Sequence, residues 1–487
     1  MNKLNLSTTY INSYSELFPY LLSHEEGNAI KDLLSWYFPG GPIRFSTMYH
    51  GTSGTSETVI TNSTHQNLNH VIQQITGLPS IDTGLNTSLV AGGKGFDVSS
   101  SFLSSLGESV ERISGALALF NNNLEYVFGS YKSVLQSGRN ALSPEDLYLF
   151  SNEQYSEPDF IFQKFTADTE VGWIRGMYLI GDEEVWIPAQ LALFFYAPSS
   201  EETLIGYSAS SGMACHINKE MAIIGSITEI VERDGIMLSW YSDLPLRRVI
   251  IDRKMRTQRA NSFLKQLHLL PGETSFWLHD VGIPQLPVIS AFQLFPNYNK
   301  FSYYVGAASA LDGEEALLQA LVEFGQSEIQ LKMANIAPQR RWMQGVKLLF
   351  DVPPDKPIRE ITTFLETLGY YGHRDNSGKI LNFFRSDCDV LLSELPDVSS
   401  RCSHYQLGLL KEIMKEHNID PIIIDFTPQQ MKQIRTVRAF IPELLLPHVS
   451  SNPYLGHPRL FNVPFHLGLR DKPLPYTELN LDPVPFP

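Results

Sequence analysis

Cysteine is scarce in this 487-residue chain: Cys215, Cys388 and Cys402 are the only three, and no two form a CxxC pair. That excludes a disulfide framework and a closed structural zinc site, both of which need paired thiols. Cys402-Ser403-His404 with Cys388 is the nearest approach to a metal cluster, and the expected reading is loosely placed core thiols. Basic residues are outnumbered, 37 Lys and Arg against 52 Asp and Glu, and they form no run. A formal charge of −15 argues against a protein that grips a phosphate backbone, so no nucleic-acid partner is expected. Long apolar runs are missing too. The most apolar stretch, VWIPAQLALFFYAP (185–198), is too short for a bilayer, contains Pro188 and reads as a buried strand pair. The N-terminus, MNKLNLSTTYINSYSELF, lacks a signal-peptide apolar core, and a soluble cytoplasmic protein without a membrane partner is expected.

The familiar catalytic and nucleotide signatures are absent as well. AGGKGFD (91–97) is not a Walker A loop, because Ser88 stands where the first glycine belongs and Gly95 follows the lysine. GYSASSG (206–212) misses a nucleophile elbow by Ser210 at the second glycine position and reads as a tight Ser/Gly turn. His216 just beyond it reads as a satisfied polar residue. There is no HExxH and no Rossmann fingerprint after a convincing strand.

What is present is an ordinary globular composition, 43% hydrophobic and 18% charged, with ample length for a large core. Residues 1–39 read as an N-terminal extension with a partly amphipathic helical pattern that stops at PGGP. Residues 40–487 contain no linker or charge block and read as one domain. Strand-like runs (GWIRGMYLI, LRRVIID, FSYYVGAA, PIIIDF, VRAFIPEL) alternate with helical stretches at 99–120, 218–240, 313–335 and 405–417. The mixture predicts an α/β or α+β body with mixed sheets. The tail, 472–487, has prolines at 473, 475, 483, 485 and 487. It can neither continue a helix nor donate to a sheet, so it must be extended, and it suits threading into a pocket.

Three helices carry a recurring pair. SLGESVERISG (105–115) returns as SITEIVERDG (226–235) and, more weakly, as LVEFGQS (321–327). Residues three apart share a helix face, so Glu108 with Glu111, Glu229 with Glu232, and Glu323 with Gln326 each point together. Each pair lies roughly 130–200° from its helix's apolar stripe. Read singly, each is a solvated face with Arg112 or Arg233 as a local partner. Read together, small residues beside every pair and the lack of Glu-to-Lys lacing point to a cage of carboxylate and amide oxygens. Such a cage suits Mg²⁺ bridging to phosphates that Arg112 and Arg233 would hold.

These segments also resemble the signatures of the YcaO-domain family. GGKGFDVSSSFLSSLGESVERISG (92–115) is similar to its first motif, and SASSGMACHINKEMAIIGSITEIVERDGIMLSWYSDLP (208–245) to its second. VGAASALDGEEALLQALVEFGQS (305–327) is similar to the third, and the closing PVPFP resembles the PxPxP terminus of azoline-forming members. The motifs occur in family order over about 90–487.

The resemblance implies a YcaO-type fold and a discrete, D-type cyclodehydratase that uses ATP and Mg²⁺ on a ribosomally made precursor peptide. Cys, Ser or Thr side chains would become thiazolines or oxazolines through phosphorylation of the backbone amide oxygen. Related chemistries are thioamide or amidine formation, and a rival of another class is a non-catalytic nucleotide-binding scaffold. Carried over by position, Glu108, Glu111 and Glu232 are implied metal ligands. Arg233, Glu229, Glu323, Gln326 and Arg112 are implied ATP contacts, and Pro487 is the terminal catalytic residue. The pattern departs at Ile217 and Met221, where relatives carry Asn and an acid. Either Glu220 or Asn218 substitutes, or one ATP contact is lost. Glu328 stands where an arginine is common. The implied partners are a leader-binding, E1-like or zinc-bearing protein, a flavin-dependent azoline dehydrogenase and a second copy of the chain within a complex.

Overall fold

The computed structural model describes residues 24–51, 56, 58–66, 90–120, 124–267, 272–294, 303–336, 347, 349–386, 388–398, 402–449 and 451–486. Among them the strands form three sheets. The first is antiparallel, in order β1 (Ile43–His50), β2 (Val59–His65), β3 (Val90–Gly95). A second, five-stranded sheet is built from β8 (Arg247–Ile250), β9 (Thr274–His279), β10 (Val288–Leu294), β11 (Tyr303–Ser309) and β12 (Asp389–Leu391), in order β11-β10-β9-β8-β12. Only the β12–β8 pairing in it is parallel. The third runs β4 (Tyr126–Ser130), β5 (Glu170–Tyr178), β13 (Ile422–Asp425), β14 (Arg435–Phe440), β7 (Met213–His216), with β6 (Glu184–Pro188) also on β5.

The helices that matter here are α1 (His24–Leu34), α2 (Val98–Ala116), α3 (Lys219–Tyr241), α4 (Gly313–Ile336), α5 (Phe364–Tyr371), α6 (Arg374–Phe383) and α7 (Ser403–Glu416). Asp97 caps α2 by accepting the Ser100 N–H at 2.8 Å, and Asn218 caps α3 by accepting that of Met221 at 2.9 Å. Helix α2 lies on β2 and β3, α3 on β14, β7 and β11, and α4 on β10 and β11. Two glycines permit the closest approaches: a Cβ on Gly93 would sit 2.0 Å from the Ser101 carbonyl, and one on Gly306 2.2 Å from the Phe324 nitrogen. The principal core surrounds α3 and the five-stranded sheet, with Trp240, Tyr241, Phe263, Tyr303 and Phe324 fully buried.

Several expectations need correction. The run 185–198 is not a strand pair: β6 ends at Pro188, which cannot donate to a ladder, and Ala189–Ala192 forms a helical turn. Helix α2 ends at Ala116, short of the expected 120. The cysteines are free; Cys215 packs half-buried against the core beside α2, but Cys388 and Cys402 are exposed and are not core thiols. The sheet β1–β3 was not foreseen at all. Within the expected extension, α1 docks on the body: Ala29 and Leu33 are buried, and Asp32 accepts the Lys432 and Gln433 N–H groups at 2.8 Å. Residues 1–23 lie outside the described residues. Among the described residues no helix is long and apolar enough to cross a membrane.

Candidate functional site

The three helices with the recurring pair meet around one cavity of about 900 Å³. Glu108, Glu111 and Arg112 line it from α2, Glu229, Glu232 and Arg233 from α3, and Glu323 and Gln326 from α4. The acids and arginines of the three recurring pairs thus share one space, although 90 to 215 positions separate those on different helices. Helix α2 turns Ser101 and Ser105 to β2 and its apolar Leu106, Val110 and Ile113 to Ala29 and Leu33 of α1, which leaves its acidic face bordering the cavity. Arg112 reaches Glu108 at 3.2 Å and Arg233 reaches Glu232 at 3.4 Å.

Charge in the cavity is unbalanced. Burial pushes Glu111 well above the ordinary carboxylate range against the pull of Arg112, and Glu229 and Glu108 push it the same way. Glu229 is raised by burial against Arg233 and Arg112. Glu232 rises to about 8, again chiefly by burial and against Arg233, with Glu323 and Glu229 adding repulsion. Carboxylates so placed are costly unless a cation joins them. Among the described residues no trio of His, Cys, Asp or Glu side chains forms a ready-made metal site. The acids are spread along the wall, which fits an ion that completes its shell with phosphate oxygens and water. Arg112 and Arg233 stand on that wall, where guanidinium forks could hold phosphates.

One residue of this site, Lys94, and one outside its lining, Arg438, escape sequence reading. Lys94, at the end of β3, pairs with Glu323 and lines the cavity. Burial would lower its pKa, but Glu323, Glu108 and Glu232 more than offset that and raise it. Its signal was the GKG turn itself, a lysine between small residues that let the chain come close. Arg438 on β14 is 3% exposed, burial lowers its pKa to about 10, and it feels Glu229 and Glu111. Among the described residues no acceptor meets its Nε or Nη1. An arginine at an inward position of an apolar strand was the available clue.

The departures resolve plainly. Ile217 and Met221 line the cavity, but Asn218 and Glu220 do not. Asn218 is occupied as the α3 cap, and Glu220 accepts from Ser403 and from His404 Nδ1, the latter at 3.0 Å. Neither substitutes for the missing pair. Glu328 is fully buried and turned to Lys332 at 2.5 Å and the Ser56 N–H at 2.8 Å. His216 lines the cavity, its Nδ1 accepting the Asn218 N–H at 2.8 Å. From the tail, Val484 and Phe486 line the same cavity, and Phe486 packs against His279 and Phe384 at 6.0 and 6.1 Å. Pro487 lies outside the described residues.

Three acidic helices, Lys94 of β3 and a proline tail thus surround one cavity. The family described as YcaO cyclodehydratase, ATP- and Mg²⁺-binding, matches residues 92–445. The chain belongs to the YcaO family. ATP and Mg²⁺ are therefore its expected ligands, in agreement with the cavity's chemistry. Solved structures agree in fold. A heterocyclase in complex with substrate and cofactor is 19% identical, with a TM-score of 0.71 over 95% of this chain and 57% of that one. The heterocyclase TruD is 22% identical at a TM-score of 0.57, covering 79% of this chain and 50% of that one. This YcaO chain thus spans only about half the length of those two proteins. Over nearly their whole length it also matches the YcaO protein of Methanopyrus kandleri bound with AMPPCP and Mg²⁺ (14% identity, TM-score 0.54, 89% and 91% covered) and one chain of the E. coli microcin synthetase McbBCD complex (16%, 0.56, 91% and 96%). Comparison with curated protein sequences gives no match.

Proposed function

We propose that this YcaO protein is an ATP-dependent cyclodehydratase that converts Cys, Ser or Thr residues of a ribosomally made peptide to thiazolines or oxazolines. The observation that carries the reading is the single cavity where three acidic helices, Lys94 and two arginines face the proline tail.

The side-chain sulfur or oxygen adds to the preceding amide carbon, and its proton leaves. The former carbonyl oxygen takes a phosphoryl group and departs as phosphate. The amide nitrogen loses its proton, closing a C=N bond, for a net loss of one water per ring. Mg-ATP supplies the phosphoryl group that makes amide oxygen a leaving group. The chain's own residues bind and orient. Glu108, Glu111 and Glu232 would hold the metal. Arg112, Arg233, Glu229, Glu323 and Gln326 would hold the nucleotide, with Lys94 beside Glu323. Pro487 would orient the reacting amide. The apolar Ile217 and Met221 leave this site one polar contact poorer.

The same reading implies a leader-binding, E1-like or zinc-bearing partner protein and an optional flavin dehydrogenase acting on the product. A homodimer within that assembly is part of it. The similarity to a microcin synthetase complex supports it, since one such structure holds pro-MccB17. The test is incubation of the protein, its partner and a candidate precursor with Mg-ATP, following peptide mass and phosphate. Loss of one water per ring with matching phosphate is expected. Unchanged peptide without ATP turnover would leave a scaffold, and a sulfide-dependent mass gain would mean thioamidation.

A further inference from the structure

The tail that enters the cavity is poor in donors. Between Asp482 and Phe486 the two prolines have no N–H, and the Asp482 N–H is spent on Asn480 Oδ1 at 3.1 Å, so what fixes the segment chiefly donates to its carbonyls. Three buried rings do so. The Trp240 indole N–H donates to the Asp482 carbonyl at 2.7 Å. The Tyr371 hydroxyl donates to that of Pro483 at 2.5 Å, and the Tyr303 hydroxyl to that of Pro485 at 3.4 Å. Trp240, Tyr303 and Tyr371 are each at most 1% exposed. Upstream, the Asn480 N–H donates to the Tyr241 carbonyl at 2.9 Å, and Lys379 meets Asp482 at 2.8 Å.

The rings come from three separate elements. Trp240 ends α3, the helix that bears Glu229, Glu232 and Arg233. Tyr303 opens β11, which leads into α4 and Glu323, and Tyr371 ends α5. Trp240 and Tyr303 both meet Tyr371 edge-on, at 6.1 and 6.5 Å, so the three donors are fixed relative to one another. A phenylalanine would fill the same volume as either tyrosine; only a carbonyl partner requires the hydroxyl.

We infer that Trp240, Tyr303 and Tyr371 are positioning residues, a ladder of ring donors that sets how far the proline tail reaches into the cavity. The inference rests on the proposed cyclodehydratase reading for its consequence in turnover, but not for the seating itself. The ladder locks the tail to the helix that bears the acids, so the tail tip and the nucleotide wall hold a fixed separation. Losing two rungs lets the tip withdraw while the wall stays intact.

The test uses Tyr303→Phe/Tyr371→Phe in the full chain and in a chain ending at Leu481. In the full chain, kcat for peptide-dependent phosphate release falls about tenfold, the size expected for two lost hydrogen bonds. The KM for ATP holds, and hydrogen exchange at the Val484 and Phe486 amides accelerates. In the full chain the substitutions also lower the melting temperature, whereas in the shortened chain they leave it unchanged, because nothing remains for the hydroxyls to hold. Equal drops in both backgrounds, or unchanged exchange in the tail, overturns the ladder. If the unaltered protein turns over no ATP with any peptide, the functional reading falls, and the exchange measurement still decides the seating.

Discussion

At one end of the cavity α2, α3 and α4 bring Glu108, Glu111, Glu229, Glu232 and Glu323 together; at the other, Val484 and Phe486 of the tail line it, backed by the core rings Trp240, Tyr303, Tyr371 and Phe384. The first end holds more negative charge than its own cations balance, and burial pushes Glu111, Glu229 and Glu232 above the ordinary carboxylate range. The second is ordinary core, with every ring donor named above satisfied. Binding function thus sits where the fold gives up stability, and the fold is held where the chain does no chemistry. Substitutions at the two ends should therefore fail in opposite ways.

The largest effect belongs to the apolar end. Phe384 stacks on Phe292 at 4.0 Å and packs on Phe486. Phe384→Ala should cost about 3–5 kcal/mol in a denaturant titration, leaving nucleotide affinity in the folded fraction intact. At the charged end, Glu232→Gln should lower ATP turnover about 10²-fold or more. Its melting temperature should hold or rise, because a buried carboxylate is removed.

Acid separates the two ends further. His279, buried between the Ser239 and Ser290 hydroxyls at 3.2 and 2.9 Å, is held neutral by burial, its pKa lowered to about 3. Its folded pKa lies below the unfolded value, so its contribution is present above pH 6.5 and declines as pH falls toward 3, by about 1.4 kcal/mol per unit. Glu232 has the opposite sign. Its folded pKa of about 8 exceeds the unfolded value near 4.5, so stability from its bound proton is present below about 4.5 and lost as pH rises through 8. Without ligand, the stability gain of Glu232→Gln over the unaltered protein should grow between pH 5 and 8, and His279→Gln should flatten the acid limb. A gain independent of pH would mean that Glu232 is not the group titrating. Smallest is Lys94→Met, which should weaken Mg-ATP binding about tenfold by removing one charged donor.

Much of this was legible in the chain. Spacing placed the Glu108/Glu111 and Glu229/Glu232 pairs on helix faces, and recurrence turned those faces inward. Proline alternation correctly made the tail extended and bound for a pocket. Helical periodicity located α3 and α4 to within a residue or two because their stripes are long. The sheet β1–β3 was not legible: its strands are rich in Ser, Thr and Gly and lack an apolar alternation. Lys94 and Arg438 were missed because their meaning depends on partners far away in sequence, Glu323 and Glu229. The ring ladder was invisible for the same reason, since Trp240, Tyr303 and Tyr371 read locally as plain core.

The most direct test of the central claim is a calorimetric titration of a non-hydrolysable ATP analogue, with and without Mg²⁺, into the unaltered protein and Glu232→Gln. The acidic helices as a metal–nucleotide wall predict Mg²⁺-dependent binding in the first and at least about tenfold weaker binding in the second. Equal affinity in both proteins, or binding indifferent to Mg²⁺, would contradict it.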